Sequence, residues 1–180
     1  ITGLDERPLE DGRIVLDDEG TIDAVGTRED VSAPNDVDRE RYPAVTPGFI
    51  DAHVHLQGMR AVDPLAWITE SPELGGARAA ADLRDLLAAG FTAVRDVGST
   101  TGIGLREAVH EGTIPGPRIF TSGRSISQTG GHGDAHYLPY EWAATSDESL
   151  STLADGADEC RKEARKRIRD GADVLKIMTT

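Results

Sequence analysis

Several common features are scarce in this chain of 180 residues, and each scarcity excludes something. Cys160 is the only cysteine, so no disulfide can form within the chain and an oxidising compartment is not indicated. No apolar run approaches the roughly 20 residues needed to cross a bilayer, and no basic and then apolar start marks a signal peptide. We therefore expect a globular, cytoplasmic protein in which Cys160 is a buried, inert thiol.

Lysine is also scarce, since Lys162, Lys166 and Lys176 are the only three. Asp and Glu together number 32 against 19 Lys and Arg, which gives a net charge of -13. A surface this acidic repels phosphate backbones and anionic lipid headgroups, so neither nucleic acid nor a membrane is an expected partner. High salt screens such self-repulsion, and the composition therefore predicts a halophilic source.

The strongest chemical signal is a strand pattern that ends in two histidines. A Pro-Gly turn at 47–48 leads into Phe-Ile-Asp-Ala-His-Val-His-Leu, and alternation along a strand places Asp51, His53 and His55 on one face. Imidazole is the commonest nitrogen ligand of zinc, and two rings on one rigid strand lose little freedom when they bind a metal. His53 and His55 are therefore candidate metal ligands. The alternative is a polar strand end with two hydrogen-bonded histidines.

The rest of the chain is predicted to contain a hairpin followed by alternating strands and helices. Arg13–Leu16 and Thr21–Val25 flank a turn and predict a β-hairpin. Beyond residue 46 the periodicity alternates as in βα units with a parallel sheet. The predicted strands are Thr46–His55, Phe91–Val97, Arg118–Ser122 and Asp173–Met178, and the predicted helices are Ala77–Ala89 and Gly102–Glu111. A capping box, Thr145-x-x-Glu148, predicts a further helix that carries Leu150, Leu153, Ala157, Cys160, Ala164 and Ile168 and stops at Gly171.

Two of these segments resemble strands of a known family. Pro47–Leu56 is similar to the first barrel strand of the amidohydrolase superfamily, and Gly171–Thr180, with its Lys-Ile-Met run, resembles the fourth. The nearest branch is the prolidase, Xaa-Pro dipeptidase-like and imidazolonepropionase-related one. The resemblance implies an α/β fold: residues 1–45 form the N-terminal β portion of a composite sandwich, and residues 46–180 form about four βα units of a TIM-like (β/α)8 barrel. Because a closed barrel has eight strands, this is the N-terminal half only.

The resemblance also implies a mechanism. His53, His55 and Lys176 would ligate divalent metal, most simply Zn2+ with two ions in the complete enzyme, and Lys176 would be carboxylated by carbon dioxide. A metal-activated water would then cleave the amide C-N bond of a dipeptide, an Xaa-Pro substrate or an N-acyl amino acid. Without that resemblance, Lys176 could equally be a strand-end lysine that reaches solvent.

The family's remaining ligands and its general base come from strands five to eight. The chain alone is therefore expected to be inactive, and to work in a homo-oligomer or with a missing C-terminal half. Two alternatives stay open: a truncated, non-catalytic fragment or assembly module, and a cyclic amidase or deaminase on the same scaffold.

A glycine-rich loop after the third strand carries a further candidate. Its Thr-Gly-Gly-His-Gly-Asp run resembles a loop of the Xaa-Pro dipeptidase-like members, and His132 is a candidate contact for a substrate carboxylate or carbonyl. A solvated histidine in a flexible loop is the alternative. His136 and Tyr137 are weaker candidates. Asp96, at the end of the second strand, is read either as a helix N-cap or as a support for the metal ligands.

Overall fold

The computed structural model describes residues 8–60, 63, 66, 69–147 and 149–180. The chain divides into two compact units, Ile1–Pro47 and Gly48–Thr180. Glu148, which was predicted to complete a capping box, and Trp67 both fall outside the described residues. Within those residues, no helix is long and apolar enough to cross a membrane.

The first unit contains the predicted β-hairpin. Strand β1 (Gly12–Leu16) pairs antiparallel with β2 (Ile22–Thr27). Asp17 organises the turn between them, because its Oδ1 accepts the backbone N–H of Thr21 at 2.8 Å. Gly20 supplies the positive φ of 79° that this turn needs. A local Asp-to-backbone hydrogen bond and a glycine together reverse the chain, as the sequence predicts.

The second unit begins with a parallel sheet covered by helices. Its strands β3 (Phe49–Val54), β4 (Phe91–Asp96) and β5 (Arg118–Thr121) lie side by side in that order. Helix α1 (Pro72–Ala88) connects the first two strands, and α2 (Gly102–His110) connects the next two. The predicted alternation of strands and helices is confirmed for this part of the chain.

Helix α1 begins five residues earlier than predicted. The Oγ of Ser71 accepts the backbone N–H of Leu74 at 3.3 Å, and Pro72 occupies the first turn. A serine cap followed by proline is a favourable helix start, because the cap satisfies a free N–H and proline has no N–H to satisfy. This signal outweighs Gly75 and Gly76, which made the same segment look like a loop.

A second parallel sheet follows. Strand β6 (Ser125–Ser127) lies between β7 (Ser151–Leu153) and β8 (Ile177–Met178). The predicted fourth strand, Asp173–Met178, is shorter than expected and coincides with β8 only in its last two residues. The backbone N–H of Ile126 donates to the carbonyl of Lys176 at 2.9 Å, which places Lys176 at the start of that pairing.

The predicted helix from Thr145 to Gly171 is wrong in its first part and is confirmed only over Gly156–Arg169. Thr145 ends a short helix, α3 (Tyr140–Thr145), and its hydroxyl donates back to the Glu141 carbonyl at 2.6 Å. Leu153 belongs to β7, whose pairing with β6 overrides the helical spacing of the apolar residues. The next helix, α4 (Gly156–Arg169), starts only after that strand. Trp142 lies in α3.

The apolar core lies between α1, α2 and the first sheet. Leu83 of α1 and Val94 of β4 are fully buried at its centre, and the other buried members are Leu56, Ala79, Leu105 and Ile119. Helices that cover a parallel sheet bury one of their faces in this way. Each fully buried leucine side chain contributes about 1.5–3 kcal/mol to the free energy of unfolding. The core therefore holds the ends of β3, β4 and β5 together.

Helix α4 contacts the second sheet through polar side chains. Its buried residues are Glu163 and Arg167, and the Nε of Arg167 donates to the Arg124 carbonyl at 3.1 Å. The predicted apolar stripe faces away from that contact, so Ile168 is 63% exposed and Cys160 is exposed. The expectation that Cys160 is buried is therefore wrong.

Candidate metal centre

The two candidate ligands lie side by side at the carboxyl end of β3, with His53 in the strand and His55 directly after it. The ring centroids of His53 and His55 are 5.4 Å apart, with an angle of 63° between the ring planes. Both side chains are exposed. Asp51, on the same face, accepts the backbone N–H of His53 at 2.9 Å and so stiffens the strand end. The strand thus presents two imidazoles to the same space.

His55 is held in one tautomer by the backbone of the next strand. Its Nδ1 lies 2.8 Å from the carbonyl oxygen of Gly98. A carbonyl can only accept, so Nδ1 carries the hydrogen and the neutral ring keeps its lone pair on Nε2. Metal-binding histidines are oriented in the same manner by a carbonyl or carboxylate on the other nitrogen. His55 therefore fits the role of a ligand through Nε2.

Gly98 is a site residue that the sequence analysis missed. Its φ is 142°, and a Cβ built there would lie 3.3 Å from the His55 ring. The glycine lets the backbone approach the imidazole closely enough to accept its hydrogen bond. The available signal was a glycine directly after the end of the predicted strand Phe91–Val97.

Lys176 lies on the neighbouring sheet, with its side chain half-buried. As predicted, Val174 and Met178 share its half-buried face, whereas Leu175 and Ile177 are 41% and 58% exposed. Within the described ranges, its amine forms neither a hydrogen bond nor an ion pair. The lysine nitrogen is thus available for chemistry.

A short chain of neighbours connects the histidines to Lys176. The register pairs Ser127 with Met178, so Ser125 is the β6 residue level with Lys176. A Cβ built on Gly98 would lie 4.0 Å from the Ser125 hydroxyl oxygen and 3.3 Å from the His55 ring, so Gly98 is a neighbour of both residues. The residues described contain no group of three or more His, Cys, Asp or Glu placed to hold a metal ion. A centre here would therefore depend on the two imidazoles and on Lys176.

The loop that carries His132 is anchored beside the end of β8. The backbone N–H of His132 donates to the Thr180 carbonyl at 2.6 Å, and its side chain is exposed. Three residues earlier, Asp155 accepts the Thr129 hydroxyl at 2.6 Å and its N–H at 3.0 Å. These two bonds lower the pKa of the Asp155 carboxyl. The first part of the loop is therefore tied at two points, and His132 lies next to the strand that carries Lys176.

Two further loop candidates lie together but apart from the histidine pair. The rings of His136 and Tyr137 meet edge to face with centroids 6.0 Å apart, and burial raises the pKa of the Tyr137 hydroxyl. The Nδ1 of His136 contacts the Asp134 carbonyl at 3.2 Å. These contacts are all local, so they give the two residues a role in shaping the loop.

Two surface depressions lie elsewhere, on the helices. One, of about 470 Å³, is lined by basic residues of α4 together with Asp158. The other, of about 550 Å³, is lined by residues of α2 and β5. Neither includes His53, His55 or Lys176, and both open on the outer surface. We read them as solvated helix faces, because chemistry on parallel α/β scaffolds gathers at the carboxyl ends of the strands.

Residues 44–180 match the amidohydrolase family. This chain belongs to that family. By family it is a hydrolase, and its α/β arrangement with parallel strands matches the TIM-barrel enzymes among the amidohydrolases. It is 31% identical to ochratoxinase of Aspergillus niger over 192 aligned positions, which cover 98% of this chain.

Solved structures of other amidohydrolases agree. The ochratoxinase crystal structure superposes with a TM-score of 0.77 over 88% of this chain. A prolidase complexed with N-methylphosphonate-L-proline is 34% identical, with a TM-score of 0.67 over 87% of this chain and 39% of its own. A Xaa-Pro dipeptidase with bound methionine is 28% identical, with a TM-score of 0.63 over 93% of this chain and 40% of its own. The chain spans about 40% of the length of ochratoxinase.

Proposed function

We propose that this amidohydrolase cleaves amide or peptide C-N bonds with the help of divalent metal, most simply Zn2+, bound by His53, His55 and Lys176. The observation that carries the proposal is the contact of His55 Nδ1 with the Gly98 carbonyl, which leaves Nε2 free beside the His53 ring. A divalent ion at this place would polarise a substrate carbonyl and lower the pKa of a water molecule. The complete enzyme would hold two such ions.

Lys176 would contribute a covalently modified side chain. Its neutral Nζ would add to carbon dioxide, forming one N–C bond and releasing one proton to solvent, and the product is an anionic oxygen ligand. A half-buried amine without a described hydrogen-bond partner supports this role, because its nitrogen is not engaged by another group of the described structure. The lysine would thus supply the negative oxygen donors that the imidazoles cannot.

The proposed architecture is half of a TIM-like barrel. Residues 46–180 would form its first four strands, and residues 1–45 the β portion of a composite sandwich. The parallel order of β3, β4 and β5 and the helices between them support this assignment. In such barrels the carboxyl ends of the strands carry the active site, which is the position of His53 and His55 on β3.

The proposed substrates are dipeptides, Xaa-Pro peptides or N-acyl amino acids. The similarity to a prolidase and to a Xaa-Pro dipeptidase supports this class. His132, held beside the end of β8, would hydrogen-bond a carboxylate or carbonyl of the substrate. Such a contact would orient the scissile bond without taking part in the proton transfers.

Replacing Lys176 by alanine tests the proposal. We expect the hydrolytic rate of the full-length Lys176→Ala protein toward Xaa-Pro dipeptides and N-acyl amino acids to fall by more than about 100-fold. Mutating a residue that only supports a metal ligand costs about 10–100-fold in activity, and losing the ligand itself should cost more. Short carboxylates such as formate or acetate should restore part of the rate, since they replace the missing oxygen donors. The measurement is the steady-state rate together with bound metal.

Lys162→Ala is the matched control for that substitution. Lys162 is an exposed lysine on α4 away from the histidines, so its loss should leave rate and metal content unchanged. A Lys176→Ala protein with the metal content and rate of the wild type would contradict the proposal.

A non-catalytic assembly module is the second candidate, and exposed apolar side chains favour it. Ile50 of β3 is 71% exposed and Ile177 of β8 is 58% exposed, and each of these strands lies at the edge of its sheet. Open edges with apolar side chains pair with further strands. Light scattering on the 180-residue chain should then show a homo-oligomer without hydrolytic activity, whereas an active monomer would exclude this candidate.

A further inference from the structure

Asp96, at the end of β4, is a fully buried carboxylate (0% exposed). Its Oδ2 accepts the hydroxyls of Ser99 and Thr121, each at 2.6 Å, and its Oδ1 accepts the backbone N–H of Leu56 at 3.2 Å. None of these donors is a cation. Desolvating a buried carboxylate that has no cationic partner is costly. The three hydrogen bonds offset part of this cost, and together they hold the carboxylate in one orientation.

Asp96 does not cap α2, which was one of its two predicted roles. The backbone N–H of Gly102 donates instead to the Ser99 hydroxyl at 2.9 Å. A Cβ added to Gly102 would lie 2.2 Å from Asp96 Oδ2 and 2.4 Å from Thr121 Oγ1. The carboxylate is therefore closely packed against Gly102, Thr121 and Ser99, and these neighbours leave it a single position.

The contacts of Asp96 lead directly to His55. Leu56, whose N–H the carboxylate binds, is the residue after His55. On the other side, the carbonyl of Val54 accepts the N–H of Val97 at 3.0 Å. The backbone is thus held on both sides of His55 by consecutive residues of the second strand end.

Further bonds continue this connection beyond His55. The Leu56 carbonyl accepts the Thr101 hydroxyl, and the Gln57 side chain accepts the N–H of Thr100 at 2.9 Å. Asp96 is the one fully buried side chain among these contacts, and the Ser99 and Thr121 hydroxyls hold its other oxygen. It is therefore a restraint that is itself fixed in place.

We propose that Asp96 is the positioning residue of the metal centre, which holds the Leu56 peptide so that the Nε2 of His55 faces the site. This inference rests on the proposed function, because it requires His55 to be a ligand. Ligand sites tolerate errors of only about 0.5 Å in the placement of their side chains, and a loose strand end would exceed that. Asp96 itself touches neither metal nor substrate.

Cobalt binding by the full-length Asp96→Asn protein tests this role. The carboxamide keeps the shape and one acceptor oxygen, but its NH2 group cannot accept the Ser99 and Thr121 hydroxyls. We expect about tenfold weaker affinity for Co2+ in competition with a chelator, and a changed visible absorption spectrum of the bound ion. The spectrum reports ligand geometry, which a general loss of stability does not change.

Leu83→Ala is the control, because Leu83 is a buried core residue whose side chain makes none of the hydrogen bonds that connect Asp96 to Leu56. It should unfold more easily than the wild type but bind Co2+ with wild-type affinity and spectrum. If Asp96→Asn does not fold, Thr121→Val, which removes one donor to the carboxylate, is judged by the same criteria.

The outcomes separate the two proposals. Wild-type affinity and spectrum in a folded Asp96→Asn protein, or an equal loss in Leu83→Ala, would overturn the positioning role alone. A wild-type protein that binds no Co2+, or whose binding survives loss of both His53 and His55, would overturn the metal centre and the positioning role with it.

Discussion

Replacing both His53 and His55 by alanine should reduce bound metal to background and lower hydrolytic activity by more than about 100-fold. Mutating residues that only hydrogen-bond to a metal ligand already costs about 10–100-fold in metal affinity or activity, and here both ligands are removed. The two rings lie at the carboxyl end of β3, and their centroids lie 5.4 Å apart. Elemental analysis of the purified full-length protein gives the metal content, and steady-state kinetics gives the activity.

The two single substitutions should differ in the size of their effect on metal binding. His55 is fixed by the Gly98 carbonyl, so it enters the metal complex already oriented, whereas no contact of this kind holds the ring of His53 within the described structure. A preorganised ligand loses less freedom on binding and contributes more affinity. We therefore expect His55→Ala to weaken metal binding more than His53→Ala does.

His110→Ala is the matched control for both. His110 is an exposed histidine at the end of α2, away from the strand ends, and its loss should change neither metal content nor rate. A double His53→Ala, His55→Ala protein that keeps the wild-type metal-to-protein ratio would refute the assignment of these residues as ligands.

Gly102→Ala should strongly destabilise the second unit. Its new Cβ would lie 2.2 Å from Asp96 Oδ2, 2.4 Å from Thr121 Oγ1 and 2.7 Å from Ser99 Oγ. All three neighbours are buried, so the methyl group must displace the carboxylate from its donors. Overpacking combined with a broken buried hydrogen bond costs roughly 2–4 kcal/mol in the free energy of unfolding. Urea unfolding followed by circular dichroism measures it.

Gly104→Ala provides the control on the same helix. A Cβ at Gly104 meets nothing within 4 Å, and alanine favours a helix interior over glycine by about 0.5–1 kcal/mol. Gly104→Ala should therefore leave stability unchanged or raise it slightly. Equal unfolding midpoints for the two alanine variants would show that the buried groups around Asp96 can shift to accommodate the added methyl group.

Local patterns were sufficient for much of the fold. The hairpin around Asp17 and Gly20 depends on interactions between residues close in sequence, the strand Phe49–Val54 is predicted by its local pattern, and the structure contains both. The shared face of Asp51, His53 and His55 likewise follows from the period of two along any β-strand. Such features need no knowledge of the partner strands.

Local patterns failed where a distant strand competes with them. Leu153 has helical spacing to Ala157, but Ser151–Leu153 pairs with Ser125–Ser127, 26 residues earlier, and becomes a strand. Cys160 has the spacing of a buried stripe, yet the residues that α4 buries are the polar Glu163 and Arg167. Which face of a helix is buried depends on what packs against it, and that is a property of the fold.

The sequence by itself determined the family, the pair of histidines and the strand that carries them. Only the tertiary structure placed the Gly98 carbonyl against His55, 43 positions apart, and the Asp96 carboxylate against Leu56, 40 positions apart. It also placed Lys176 level with Ser125, beside Gly98. The physical reason is that a ligand's identity is a local property of the chain, whereas its orientation is set by hydrogen bonds to residues that approach it only when the parallel strands pack.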